Sequence, residues 1–133
     1  MSKIVIYWSS TGNTEAIANK IAGDLGVEAK ALASTSVDEV KNYDVIVFGS
    51  PAMGAEELEE DETRPFFEEL LPELGNKKLA LFGSYGWGGG EWLDSWADEA
   101  TNGGANVVAK LAVMGDNSAI DDVAYQEFIQ ALN

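Results

Sequence analysis

The stretch KIVIYWSSTGNTEAIANKIAGDLG, residues 3–26, decides how the rest of the chain is read. Ile4-Val5-Ile6-Tyr7-Trp8 is an apolar run of strand length, rich in β-branched and aromatic residues. Asn13-Thr14 then opens a helical pattern. Ile17, Ala18, Ile21, Ala22 and Leu25 recur at helical spacing, and Gly26 ends the segment. A strand that is apolar on both faces is one buried on both faces. Followed at once by an amphipathic helix, it reads as the first half of a βαβ unit.

The same alternation continues outward from this unit. Val27 to Leu32 predicts a weaker, edge-like strand. Ser36 suits the N-cap of a short helix through about Lys41, with Glu39 three residues on completing a capping box. Val45-Ile46-Val47-Phe48 predicts a buried strand. Residues 50–63 form a long polar stretch, and Phe66 to Leu74 reads as helix. Leu79-Ala80-Leu81-Phe82 is the fourth strand. Glu91 to about Ala100 is a helix with Trp92 and Trp96 on one face, where core packing explains them. Asn106 to Val113 is the fifth strand, and Ile120 to Leu132 the closing helix. Five strands alternating with five helices predict one doubly wound α/β domain over residues 1–133. Such folds bind ligands at the carboxyl ends of their strands. The loops after the first, third and fourth strands therefore carry the function.

Composition narrows the chemistry those loops can do. The 133 residues include no cysteine and no histidine. That excludes disulfides, Cys/His zinc sites, thiolate nucleophiles, Cys-ligated iron–sulfur clusters and His-based triads. Acids outnumber bases 23 to 8, giving a net charge of -15. A polyanion repels nucleic acid and anionic lipid, so neither is an expected partner, whereas a basic protein is. No apolar run approaches the roughly 18 residues of a membrane span, and no signal peptide opens the chain. A soluble, cytoplasmic monomer is expected.

The loop Ser9-Ser10-Thr11-Gly12-Asn13-Thr14 carries four hydroxyls and no charge. Its backbone N–H groups and the following helix N-terminus supply positive potential, and hydroxyls can complete a shell around phosphate oxygens. There is no Gly-Lys pair for a Walker loop and no G-x-G-x-x-G fingerprint here. A response-regulator receiver would need acids where Trp8-Ser9 and Gly49-Ser50 stand. The six residues also suit an ordinary βα turn with capping hydroxyls, and taken alone they leave both readings open.

Three segments together carry a resemblance. YWSSTGNTE resembles the phosphate loop of flavodoxins. SPAMGAEELEE and LFGSYGWGGGEW are similar to the second and third FMN loops of short-chain flavodoxins from anaerobes. The likeness extends along essentially the whole chain. It implies a five-stranded parallel sheet in order 2-1-3-4-5 with helices on both faces. It also implies a low-potential one-electron carrier that uses non-covalent FMN through its neutral semiquinone and hydroquinone. The expected partners are iron–sulfur or flavin oxidoreductases with basic docking surfaces. The rival readings are an FMN-dependent quinone reductase-like enzyme and a non-redox nucleotide-binding module.

By this resemblance Ser9, Ser10, Thr11, Gly12, Asn13 and Thr14 would wrap the phosphate. Ser10 stands where relatives often have Gly, but it keeps the backbone amide. Ala52, Met53, Gly54, Ala55 and Glu56 would form the second loop, with Met53 against one flavin face and Glu56 accepting from N3–H. Ser84, Tyr85, Gly86, Trp87 and Gly88 would form the third, with Trp87 on the other face. No residue is expected to be catalytic and none to bind metal. Ala55 replaces a polar residue or Gly. Its Cβ costs about 1 kcal/mol if the reduced turn needs φ > 0 there, which predicts a shifted semiquinone potential. Six of the seven residues from Glu56 to Glu62 are acids. Read as a solvated face, they would lower the hydroquinone couple by about 100 mV in total.

Overall fold

The computed structural model describes residues 2–53, 57–86, 90–115 and 117–133. Strands β1 (Lys3–Tyr7), β2 (Ala29–Ala31), β3 (Val45–Gly49), β6 (Lys78–Tyr85) and β7 (Asn106–Met114) form one parallel sheet. Its order, β2-β1-β3-β6-β7, is the expected 2-1-3-4-5 arrangement. Helices α1 (Asn13–Leu25) and α5 (Asp122–Ala131) cover one face. The other carries α2 (Val37–Val40), α3 (Thr63–Leu70) and α4 (Glu91–Asn102).

The apolar strands are divided between two cores by the period of two along each strand. Ile4, Ile6, Ile46, Phe48, Leu79 and Leu81 join Phe67, Trp92 and Trp96 in one cluster. Val5, Val45, Val47, Ala80 and Phe82 join Ile17, Ile21, Tyr125 and Phe128 in the other. Phe48 meets Trp96 edge to face at 5.2 Å, and Trp96 meets Phe67 at 5.8 Å. The expected core role of Trp92 and Trp96 is what the structure displays.

The differences lie at element ends and in the polar stretch. Strand β2 spans three residues, not six, because only Ala29 to Ala31 meet a partner, along β1. Residues 50–63 are not simply loop. Short strands β4 (Ala52–Met53) and β5 (Glu57–Leu58) pair antiparallel as a separate two-stranded sheet. Helix α3 begins at Thr63, three residues earlier than expected, because Glu59 caps it from upstream. It gives way at Leu71 to a 3₁₀ turn through Glu73, where Pro72 has no N–H to continue the helical ladder. The capping box of α2 is half formed. Ser36 Oγ accepts from Glu39 N at 3.2 Å, but the Glu39 carboxylate turns to Lys30 Nζ and Thr35 Oγ1, both at 2.7 Å. The Lys30 bond, then the Thr35 bond, hold Glu39 below the usual carboxylate range.

Candidate functional site

The sheet brings three loop starts side by side. One hydrogen bond beyond β1 and one beyond β3 extend the register. Trp8 N donates to Gly49 O, and Ser50 N donates to Phe82 O, each at 3.0 Å. The chain after β1, β3 and β6 thus leaves the same edge of the sheet.

The first loop closes on itself, with Gly12 N donating to Ser9 Oγ at 3.1 Å. Gly12 has φ +96°, and a Cβ built there would meet nothing within 4 Å. The requirement for glycine is therefore in the backbone, not in crowding. Gly12→Ala is expected to cost about 1–2 kcal/mol. A thermal melt should fall by several degrees, and an unchanged melt would mean the loop relaxes without strain.

Helix α1 starts with no side-chain cap. The first-turn amides of Asn13, Thr14 and Glu15 have no acceptor among the described residues. They are the orphan donors of any helix start, placed where the helix dipole is positive. No Lys or Arg occurs between Lys3 and Lys20. Amides, hydroxyls and a dipole without a cation are a donor set that fits a phosphate ester. Thr14 is buried, and its Oγ1 lies 3.1 Å from buried Ser84 Oγ. That bond joins the first loop to the end of β6, across 70 positions of sequence.

The remaining expected site residues divide into placed and outlying. Ser10 and Thr11 are exposed and Asn13 is half-buried. Ala52 and Met53 form β4, which lies beside β6, with Met53 38% exposed. Tyr85 is half-buried against Trp92, ring centroids 5.4 Å apart, and Gly86 is exposed. Gly54, Ala55, Glu56, Trp87 and Gly88 lie outside the described residues.

The acidic run is not a uniform solvated face. Glu57, Glu60 and Asp61 are exposed, and with Met53, Leu58 and Glu59 they line a cavity of about 210 Å³. Glu59 is buried, 4% exposed, and its carboxylate accepts the amides of Asp61, Glu62 and Thr63. Glu62 accepts the indole N–H of Trp8. Sequence reasoning missed both roles. A glutamate followed four residues on by a helix start holding Pro65 was the available signal for Glu59. Trp8 serves both core and loop. Its ring packs on one core, and it lines a cavity of about 270 Å³ with Ser9, Glu15 and Glu62.

A larger cavity of about 350 Å³, lined by none of the expected site residues, lies between Glu57, Leu58, Glu60, Arg64, Trp92, Trp96 and Glu99. Arg64 is occupied there by Glu99 at 2.9 Å. Among the described residues no group of acids is placed to hold a metal ion. No helix among them is long and apolar enough to cross a membrane.

A parallel sheet in this order, with an amide cradle at the end of its first strand, defines a doubly wound α/β protein suited to a phosphorylated cofactor. Comparison with known proteins narrows the class. The pattern of the family described as Flavodoxin matches residues 5–127. The flavodoxin of Megasphaera elsdenii is 49% identical over 121 residues, 86% of this chain and 88% of that one. That of Clostridium beijerinckii is 40% identical over 131 residues, 95% of this chain and 93% of that one. The solution structure of two-electron reduced Megasphaera elsdenii flavodoxin matches with a TM-score of 0.82 at 42% identity, covering 98% and 97% of the two chains. The chain belongs to the flavodoxin family. It is accordingly an FMN-bound electron carrier and not an enzyme, and its partners are redox proteins.

Proposed function

We propose that the chain is a low-potential one-electron carrier that grips the FMN phosphate with residues 9–14. The observation that carries this reading is the start of α1, which has no side-chain cap and follows directly from the uncharged loop of residues 9–14. Its free amides, with the hydroxyls of Ser9, Ser10, Thr11 and Thr14, match the oxygens of a phosphate without a basic side chain. When bound, FMN supplies the one-electron redox chemistry. Met53 is exposed on β4 and offers its thioether to a flat ring. Gly54, Ala55, Glu56, Trp87 and Gly88 complete the second and third loops in this reading, with Ala52, Ser84, Tyr85 and Gly86. Glu56 takes the ring N3–H, and Trp87 covers the face opposite Met53.

The exposed carboxylates of Glu57, Glu60 and Asp61 disfavour added negative charge near Met53, which supports a low potential. With Glu59 buried beneath its three amides, fewer of the six acids face solvent than the sequence alone suggests. The same field favours partners with basic docking surfaces, among iron–sulfur or flavin oxidoreductases. The protein works as a monomeric cytoplasmic domain in this reading.

A potentiometric titration of the holoprotein tests the carrier role. Two separated one-electron steps, the second well below free FMN, are expected. A single two-electron step would overturn the reading. Electron-transfer rates to a basic partner should fall steeply with added salt. A flat salt profile would remove the docking proposal and leave the carrier role standing.

A further inference from the structure

Glu62 ends the acidic run, immediately before α3, and its carboxylate receives the indole N–H of Trp8. The two residues are 54 positions apart. Trp8 is the junction between β1 and the phosphate loop. Its amide is tied to Gly49 O on β3, and the next residue, Ser9, accepts the Gly12 amide. The backbone bond leaves the ring free to turn, and the ring sits half-buried on the α3–α4 core. The bond to Glu62 fixes that rotation. Glu62 is itself anchored, because its amide donates to the buried carboxylate of Glu59.

Glu62 shares a cavity with Ser9 and Glu15, and through space both carboxylates oppose an anion held nearby. Each is instead engaged by the end of β1. Tyr7 Oη donates to Glu15 at 3.1 Å, and Trp8 donates to Glu62. Two acids that cost anion binding are thereby the acceptors that hold the chain leading into the cradle.

We propose that Glu62 is a positioning residue for the phosphate cradle, acting through Trp8 to fix the aim of the amides that follow Ser9. The proposal rests on residues 9–14 being the FMN phosphate site. Neither the charge of Glu62 nor direct contact with the cofactor is required, only an acceptor at that place.

The test is titration of full-length apoprotein with FMN and with riboflavin, which lacks the phosphate, followed by quenching of flavin emission. The parent chain should bind FMN far more tightly than riboflavin. Equal affinities would overturn the phosphate reading, and this proposal with it. Glu62→Leu removes the acceptor and should weaken FMN about fivefold while leaving riboflavin unchanged. Glu62→Gln keeps an acceptor and should stay within about twofold of the parent at physiological ionic strength. Trp8→Phe keeps a smaller aromatic ring and removes the donor, and should weaken FMN at least as much as Glu62→Leu. Combining the two should lose no more than Trp8→Phe alone, since they break one bond. The proposal is overturned if Glu62→Leu leaves FMN affinity unchanged or raises it. Equal loss of FMN and riboflavin would show a general structural role and overturn it too, as would Glu62→Gln behaving like Glu62→Leu.

Discussion

Glu59→Ala is expected to remove about 3 kcal/mol of stability, far more than any other change in the acidic run. The carboxylate is 4% exposed and accepts from three consecutive amides, Asp61 N at 2.6 Å, Glu62 N at 2.9 Å and Thr63 N at 2.7 Å. Those donors belong to the approach and first position of α3, which has no other side-chain cap. A charged acceptor contributes about 1.5–3 kcal/mol per bond, and bonds sharing one carboxylate do not add fully. An ordinary N-cap contributes about 0.5–2 kcal/mol, so a threefold cap in a buried position belongs above that range. The carboxylate also faces the positive end of the helix dipole. Urea unfolding should show the loss, together with a melting point lower by about 10 °C. Glu59→Gln retains one carbonyl acceptor and should lose about half as much. Glu60→Ala, at an exposed neighbour, should stay within about 0.5 kcal/mol. If Glu59→Ala and Glu60→Ala melt together, the cap is not a stabilising element.

The contrast between Glu59 and Glu60 shows where one-dimensional reading stops. Both stand in the same run of acids, and nothing in their spacing distinguishes the buried one. The turn of chain from 59 to 63 decides it, and that turn follows from packing Leu58 and Phe67 on the sheet. The start of α3 was hidden for the same reason. Strands β1, β3 and β6 were legible because burial on both faces leaves unbroken apolar runs. Strand β2, half-buried Ala29-Lys30-Ala31 at an edge, left only a weak trace. The pairing of β4 with β5 involves two residues from each strand, too few for alternation to register. The phosphate cradle was legible as a hydroxyl-rich, uncharged loop before a helix. Its tie to the third loop was not, since Thr14 and Ser84 lie on different elements and either hydroxyl reads as a local cap.

Gly83→Ala is expected to cost at least about 3 kcal/mol and to loosen the site from beneath. Gly83 lies inside β6, opposite Ala112 of β7, with its other neighbour the chain leaving β3. A Cβ there would stand 1.8 Å from Ser50 O, 2.8 Å from Ser50 C and 3.2 Å from Trp92 Cζ2. The nearest atoms are backbone, so no rotamer change relieves the clash. Ser50 would have to retreat by more than 1 Å, about the gap between that contact and normal packing. Its amide is bonded to Phe82 O at 3.0 Å, and its side chain is buried. Retreat therefore breaks the bond that carries the β3–β6 register one residue further and shifts Pro51 and β4 with it. The next residue along β6 is Ser84, which holds Thr14, so the strain reaches the first loop directly. With total stability of about 5–15 kcal/mol for such a domain, a melting point lower by 10 °C or more is expected. Any folded fraction should also bind FMN more weakly than the parent. Gly75→Ala is the control, because a Cβ there meets nothing within 4 Å and its melt should barely move. A Gly83→Ala protein melting within about 3 °C of the parent would mean that the strand ends separate at little cost. The close approach of Ser50 to β6 would then not be what aligns the loops.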